Sequence, residues 1–523
     1  VILEAYLRLG EQFVHKLNGM FAFAIYEPAK KRLLLYRDRM GIKPIYLWRE
    51  GRNIAFSSEL KGILALRPKI KLSLNRHAVL DYLHLGYIPE PLSIAREVQK
   101  FPAGSYAVFE GGNMRLESYW QPEQQVKAEI LRDESKAEET LHELLRSSVA
   151  YRMISDVPFG TFLSGGIDSS VVTSIAQSLS EKPVNTFSIG FKESKFNESQ
   201  FAAQVAKHLK TQHHEFIVSE EDALELVDKM VDAYDEPFAD SSAIPTMLVS
   251  QMARKEVTMT LSGDGGDELF LGYGSYQWAK RLSNPWMQLL RKPLGLALSV
   301  MADNRMKRAA ELFHYPNASM KMSHIFSQEG YYFSMAERRK LMTIQDSGTL
   351  SFKESAHLNT LPRQLNAMEK QALFDLRYYL KDDLLVKVDR ATMQFSLETR
   401  VPLLDYRIVE FALNLDSSLK IRQGQAKYLL KKILFQYVPA SIFDRPKWGF
   451  SIPLERWMKG ELQSLMTHYT SKEMCERFGL IDYKVLHEYI SAFQSGRNYY
   501  YNRIWQIVVL HKCLEKANLE MRP

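Results

Sequence analysis

The sequence is poor in cysteine: its 523 residues include two, Cys475 and Cys513, both toward the C-terminal end. That supports neither a disulfide framework nor a multi-cysteine zinc site, and it fits a reducing cytoplasm. No apolar run reaches the ~18 residues that a membrane-spanning helix needs. The longest candidate, Leu294 to Met301, is hemmed in by Lys292, Pro293 and Asp303, so no membrane partner is expected. Blocks of one charge are scarce as well, with 68 basic and 61 acidic residues interspersed and a net charge of +7. No basic stripe with interleaved aromatics occurs, and the short cluster Arg305, Lys307, Arg308 reads as a solvated helix face, so no nucleic-acid partner is expected. An initiator methionine is missing. The chain opens at Val1 inside an amphipathic stretch, VILEAYLRL, with neither an N-cap nor a signal-peptide pattern, which reads as a truncated start.

What remains is ordinary globular usage, 46% hydrophobic and 25% charged, in a length that fits two to four domains at roughly 100 to 200 residues each. Between residues 20 and 60 the short alternating runs MFAFAIYE, RLLLYRD, PIYLW and NIAFSS are joined by turn signals and predict an antiparallel sheet. AGSYAVFEGG continues the strand pattern, with Gly111-Gly112 as a hairpin signal. From about Gln124 the pattern changes. A helix over Glu138 to Tyr151 leads into strands at 157–163, 184–190, 213–218 and 256–262 that alternate with helices, the signature of a doubly wound parallel sheet. Beyond Tyr276 the chain reads mainly as helices.

The strongest chemical signal is Ser164-Gly165-Gly166-Ile167-Asp168-Ser169-Ser170, between a strand and a helix-capable stretch. Two glycines let backbone N–H groups approach phosphate oxygens, the serine hydroxyls add donors, and the helix start favours an anion. A Walker A loop is absent. A second glycine loop, Ser262-Gly263-Asp264-Gly265-Gly266-Asp267-Glu268, follows the last parallel strand and belongs on the same sheet edge. Its clustered acids call for a cation, and magnesium would satisfy Asp168 and Asp267 together. His213 and His214 are adjacent on a strand, point to opposite faces and are not expected to bind a metal.

SGGIDSS resembles the pyrophosphate loop of enzymes that cleave ATP between the α and β phosphates. Together with LSGDGGDELFLGY, YDEPFADSSAIPT, KVDRATMQFSLETRVPLLDYRIVEFA and RPKWGFSIPLERW, the chain resembles glutamine-dependent asparagine synthetases. LNGMFAFAIYEPAKKRLLLYRDRMGIKPIYLW resembles the later part of that family's glutaminase domain.

The resemblance implies an α/β protein with two domains. Residues 1–123 would be the remnant of an αββα N-terminal-nucleophile glutaminase sandwich, and 124–523 a synthetase domain with a doubly wound parallel sheet and a helical C-terminal part. It implies ATP as substrate with Mg2+, L-aspartate as acceptor, glutamine or ammonia as nitrogen source, and a cytoplasmic enzyme, with a homodimer as one admissible assembly. Ser164, Gly165, Gly166, Asp168, Ser169 and Ser170 would hold the phosphates. Leu163 and Ile189 fall at the adenosine contacts, and Ser262 and Gly263 at the nucleotide. Lys447 matches a lysine near the transferring phosphate. Asp264 matches an acidic position tied to intermediate formation and the ammonia step, where many relatives carry the longer Glu. For Asp389, Glu398 and Arg400 two readings stay open, a substrate pocket or a structural ion-pair network. The family's glutaminase uses a first-residue cysteine, and Val1 offers none, so the chain as written is expected not to hydrolyse glutamine while free ammonia could still serve. Two other readings are an enzyme that amidates a different carboxylate, such as a cell-envelope or secondary-metabolite precursor, and a catalytically idle nucleotide-binding paralogue.

Overall fold

The structure, a computed structural model, describes residues 1–66, 69–191, 199–301, 304–344, 349–352, 354, 358–444 and 452–521. In the N-terminal part the alternating runs become β1 (Ala22–Glu27), β2 (Arg32–Arg37), β3 (Tyr46–Glu50), β4 (Asn53–Ser57), β5 (Val98–Lys100), β6 (Ser105–Glu110) and β7 (Asn113–Ser118). The runs between residues 20 and 60 do not fall in the one antiparallel sheet that their alternation predicts: two form, ordered β1-β2-β6-β7 and β4-β3-β5, as in the αββα sandwich that the resemblance implies. The turn after β2 causes the split. There the Asp38 carboxylate accepts hydrogen bonds from the backbone N–H groups of Phe21, Ile42 and Lys43. Arg37 donates to the carbonyls of Gly41 and Lys43. So held, the chain leaves the first sheet before β3 begins.

Leu35, Ala107 and Phe109 of the first sheet meet Leu47 of the second in an apolar layer. Helix Ile2–Leu9 and the turn after it cover the outer face of the first sheet through Tyr6, Phe13 and Val14. Leu60, Ile63 and helix Arg76–Leu85 join Tyr46 and Trp48 of the second sheet in one core. The layer order is therefore helix, sheet, sheet, helix.

The second architecture is a parallel sheet of β8 (Phe159–Phe162), β9 (Asn185–Phe191), β10 (Gln212–Val218), β11 (Met259–Leu261) and β12 (Glu398–Arg400). Its order is β10-β9-β8-β11-β12. Successive strands run outward from β8 to one edge, then the chain returns to β8's other side with β11. That reversal makes the β8/β11 boundary a topological switch point, the place at the carboxyl edge of an open α/β sheet where ligands characteristically bind. Helices Glu134–Met153 and Ile167–Leu179 share one core, while helix Ala243–Ala253 packs with Phe187 and Ile189 in another. Helix Glu134–Met153 starts four residues ahead of the sequence expectation because the Asp133 carboxylate caps the N–H of Lys136 at 2.9 Å.

Asp405, fully buried, ties these parts together. Its carboxylate accepts from Arg152 at 3.0 Å, from Asn18 of the N-terminal part at 2.9 Å and from Arg407 at 2.8 Å. Burial opposes the charge, but the Arg407 hydrogen bonds and the Arg152 charge prevail and lower the pKa to about 2. A pKa below the unfolded value means that this stabilisation is complete above about pH 4 and is lost as pH falls toward 2. Asp405→Asn is expected to remove about 2 kcal/mol of acid-sensitive stability. Urea midpoints of both proteins between pH 5 and pH 2 check this; parallel curves would refute it.

Candidate active site

The turn from β8 into helix Ile167–Leu179 carries SGGIDSS. Gly165 has φ +74°, and a Cβ there would lie 2.7 Å from the backbone nitrogen of Ala202, so both conformation and close packing require glycine. The Ser164 and Ser169 hydroxyls lie 3.0 Å apart, and the Gly166 N–H donates to the Ser164 oxygen at 3.3 Å. Asp168 falls in the first helical turn. Ser170 is fully buried, directed into the protein and away from the loop surface. Leu163 and Ile189 are buried at the ends of β8 and β9, and Leu163 N–H donates to the Phe187 carbonyl at 2.9 Å.

The second loop leaves β11 beside the first. Its opening is pinned where the Ser262 N–H donates to the Arg400 carbonyl at 2.9 Å. A Cβ on Gly263 would lie 2.6 Å from the Ser169 nitrogen and 2.7 Å from the Asp168 carbonyl carbon, so the two loops touch through backbone. Asp168 and Asp267 converge on one buried cation, the Lys427 ammonium, which bonds to the Asp168 carboxylate and lies 2.6 Å from Asp267. Burial works against that ammonium, but the two carboxylates outweigh it and hold its pKa above the ordinary lysine value. The clustered acids demand a cation in the sequence; Lys427 was not among the expected site residues. Its signal is weak, one lysine among several in GQAKYLLKK, 259 positions from Asp168.

Buried charge surrounds this centre. Burial raises the Asp264 pKa, with the Ser262 hydroxyl and Lys387 opposing. Burial, then the charge of Asp267, pushes Glu268 up to about 8, against a 2.6 Å hydrogen bond from Tyr273. Lys387, a second buried lysine outside the sequence expectations, donates to Asp240 at 2.9 Å and to Ser242 at 2.8 Å. Those partners belong to YDEPFADSSAIPT, whose Glu236 accepts from Tyr46 at 3.0 Å and from the Ile94 N–H at 2.7 Å. One motif thus reaches both the synthetase crevice and the N-terminal part.

Asp389 accepts from Lys43 at 2.7 Å, across the seam between the two parts. Glu398 and Arg400 lie on β12 and pair at 2.6 Å, while Arg400 also donates to the carbonyls of Arg152 and Ile154. Lys447 lies outside the described residues. His213 meets Thr186 at 2.9 Å and His214 meets Asn185 at 3.0 Å, on opposite faces of β10. Among the described residues no group of three or more His, Cys, Asp or Glu forms a ready-made metal cage. A phosphate-bound magnesium uses one or two carboxylates and keeps waters and phosphates as its other ligands, so the Asp168 and Asp267 oxygens suit it.

Fold and loops together are those of an α/β protein whose two glycine loops meet at the switch point of a parallel sheet. Residues 140–520 match the family model described as asparagine synthase, and residues 1–120 match that of the glutamine amidotransferase domain. The chain is 30% identical to asparagine synthetase [glutamine-hydrolyzing] 1 of Bacillus subtilis, over 100% of its own length and 81% of that protein. It is 39% identical to putative asparagine synthetase [glutamine-hydrolyzing] 2 of Methanocaldococcus jannaschii, over 75% of the chain and 76% of that protein. A putative asparagine synthetase [glutamine-hydrolyzing] of Mycobacterium tuberculosis is 30% identical over 97% of the chain and 78% of its own length. The chain belongs to the asparagine synthase family, and its reaction class is that of carbon–nitrogen ligases.

Proposed function

We propose that the chain catalyses ATP-dependent amidation of L-aspartate to L-asparagine through β-aspartyl-AMP. Aspartate's side-chain carboxylate attacks the α-phosphorus of ATP and pyrophosphate leaves. Ammonia then attacks the acyl carbon, the acyl C–O bond breaks, and AMP departs with the bridging oxygen. The observation that carries this reading is the backbone contact between the Gly263 loop and the Asp168–Ser169 turn at the switch point of the sheet. In a displacement at phosphorus, catalysis rests on positioning and on charges aimed where negative charge builds.

Ser164, Gly165, Gly166 and Ser169 form the phosphate turn, their hydroxyl and N–H donors serving the leaving pyrophosphate, while Ser170, buried behind the turn, supports it from within. Leu163 and Ile189 flank the adenosine, and Ser262 and Gly263 border it from the second loop. Asp168 and Asp267 would hold magnesium, which neutralises phosphate charge when bound. Lys427 keeps these two carboxylates together, and Lys447 is the residue proposed for the transferring phosphate. Asp264, kept at a raised pKa, takes the proton that ammonia sheds. Asp389, Glu398 and Arg400 act through their ion pairs, one across the domain seam and one on the edge strand. The nitrogen comes from glutamine or from free ammonium, and ammonium is the source supplied in the test.

Purified chain given MgATP, aspartate and ammonium is expected to release pyrophosphate and asparagine in equal amounts. Aspartate-independent pyrophosphate release, or release driven better by another carboxylate in a screen, would displace aspartate as the acceptor.

A further inference from the structure

The helices that follow the second loop carry an apolar surface that the ligase reaction does not use. Helix Arg291–Ser299 points Leu294 and Leu298 inward, against a core of Ala279, Leu282, Phe313 and Ile325. Leu296 lies two positions from each of those leucines, about 200° around a helix at 3.6 residues per turn, and is exposed. Val300, one turn beyond Leu296, continues that outer face with 76% of its surface exposed. The preceding helix, Pro285–Leu289, adds Trp286, 74% exposed, and Leu289, with Leu290 just beyond its end. A helix that is apolar on both faces is ordinarily buried on both. Here the inner face is covered by protein and the outer face is bare.

The charge along this stretch of chain is of one sign. From Leu269 to Ala302 the sequence contains no Asp or Glu, whereas Lys280, Arg281, Arg291 and Lys292 all fall within it. Lys280, Arg281 and Lys292 are exposed, while Arg291 is engaged with the Tyr315 carbonyl at 2.7 Å. A second copy seated symmetrically on this face would bring one basic rim against another. Among the described residues no helix is long and apolar enough to cross a membrane. Trp and Leu at the acyl boundary with Lys and Arg reaching the headgroups is how interfacial helices bind anionic bilayers.

We propose that helices Pro285–Leu289 and Arg291–Ser299 dock the protein on an anionic lipid surface. Wild-type chain is expected to co-sediment with vesicles of equal parts phosphatidylglycerol and phosphatidylcholine, at least about tenfold more strongly than with phosphatidylcholine alone, and less as salt rises. The double variant Trp286→Ser/Leu296→Ser should lose about a hundredfold in vesicle affinity while keeping ammonium-dependent pyrophosphate release, which reports an intact fold. Lys280→Glu/Lys292→Glu should abolish the preference for phosphatidylglycerol. Three results would each overturn the proposal: no binding to the anionic vesicles, unchanged binding by the serine variant, or wild-type self-association that this variant breaks without any vesicle binding. The last would make the face a subunit interface.

Discussion

Asp168→Ala is expected to lower aspartate-dependent pyrophosphate release by about 10³-fold, at the upper end for loss of one electrostatic contact to a reacting phosphate. The carboxylate belongs to the first turn of helix Ile167–Leu179 and shares the Lys427 ammonium with Asp267. Removing it leaves that buried lysine with half of its compensating charge and removes one of the two oxygens proposed for magnesium. Asp168→Asn preserves volume but not charge and should fall nearly as far. Pyrophosphate assays with saturating MgATP, beside thermal melts of the same preparations, separate chemistry from folding. A variant that melts like the wild type and retains activity within tenfold would contradict a role for Asp168 at the phosphates.

Gly263→Ala should be nearly as damaging for a different reason. The added methyl would lie 2.6 Å from the Ser169 nitrogen and 2.7 Å from the Asp168 carbonyl carbon, and backbone cannot swing aside as a side chain can. Overpacking of this kind costs about 1–3 kcal/mol, and relief requires the two loops to part. Activity is expected to drop about a hundredfold, since small displacements of positioning groups cost that much. Gly19→Ala, where an added Cβ meets nothing within 4 Å, is the matched control and should leave melting and activity unchanged. If Gly263→Ala matches that control in both assays, the loops do not depend on their contact.

These effects centre on residues with unequal sequence signals. The two glycine loops are legible because each joins a β-rich run to a helix within a few positions, where local conformation carries the chemistry. The N-terminal strands are legible for the same reason, since period-two alternation is local. Their division into two sheets comes from the resemblance and not from the alternation: it depends on Asp38 and Arg37 gripping the turn between β2 and β3, and a carboxylate's partners have no periodicity. β12 is three residues long, too short for alternation to register, and was expected to be part of a helical region. Lys427 and Lys387 acquire their importance through burial between carboxylates supplied by distant segments. The acids' need for a cation could be read from the sequence, but which cation answers it in the folded chain could not.

The two glycine loops are proposed to direct a carboxylate to the α-phosphorus of ATP. Aspartate labelled with 18O in its side-chain carboxyl group tests it most directly when supplied with MgATP and ammonium. Mass spectrometry is predicted to find one labelled oxygen in the phosphate of AMP and none in pyrophosphate. Formation of ADP with the label in inorganic phosphate, or unlabelled AMP, would contradict it.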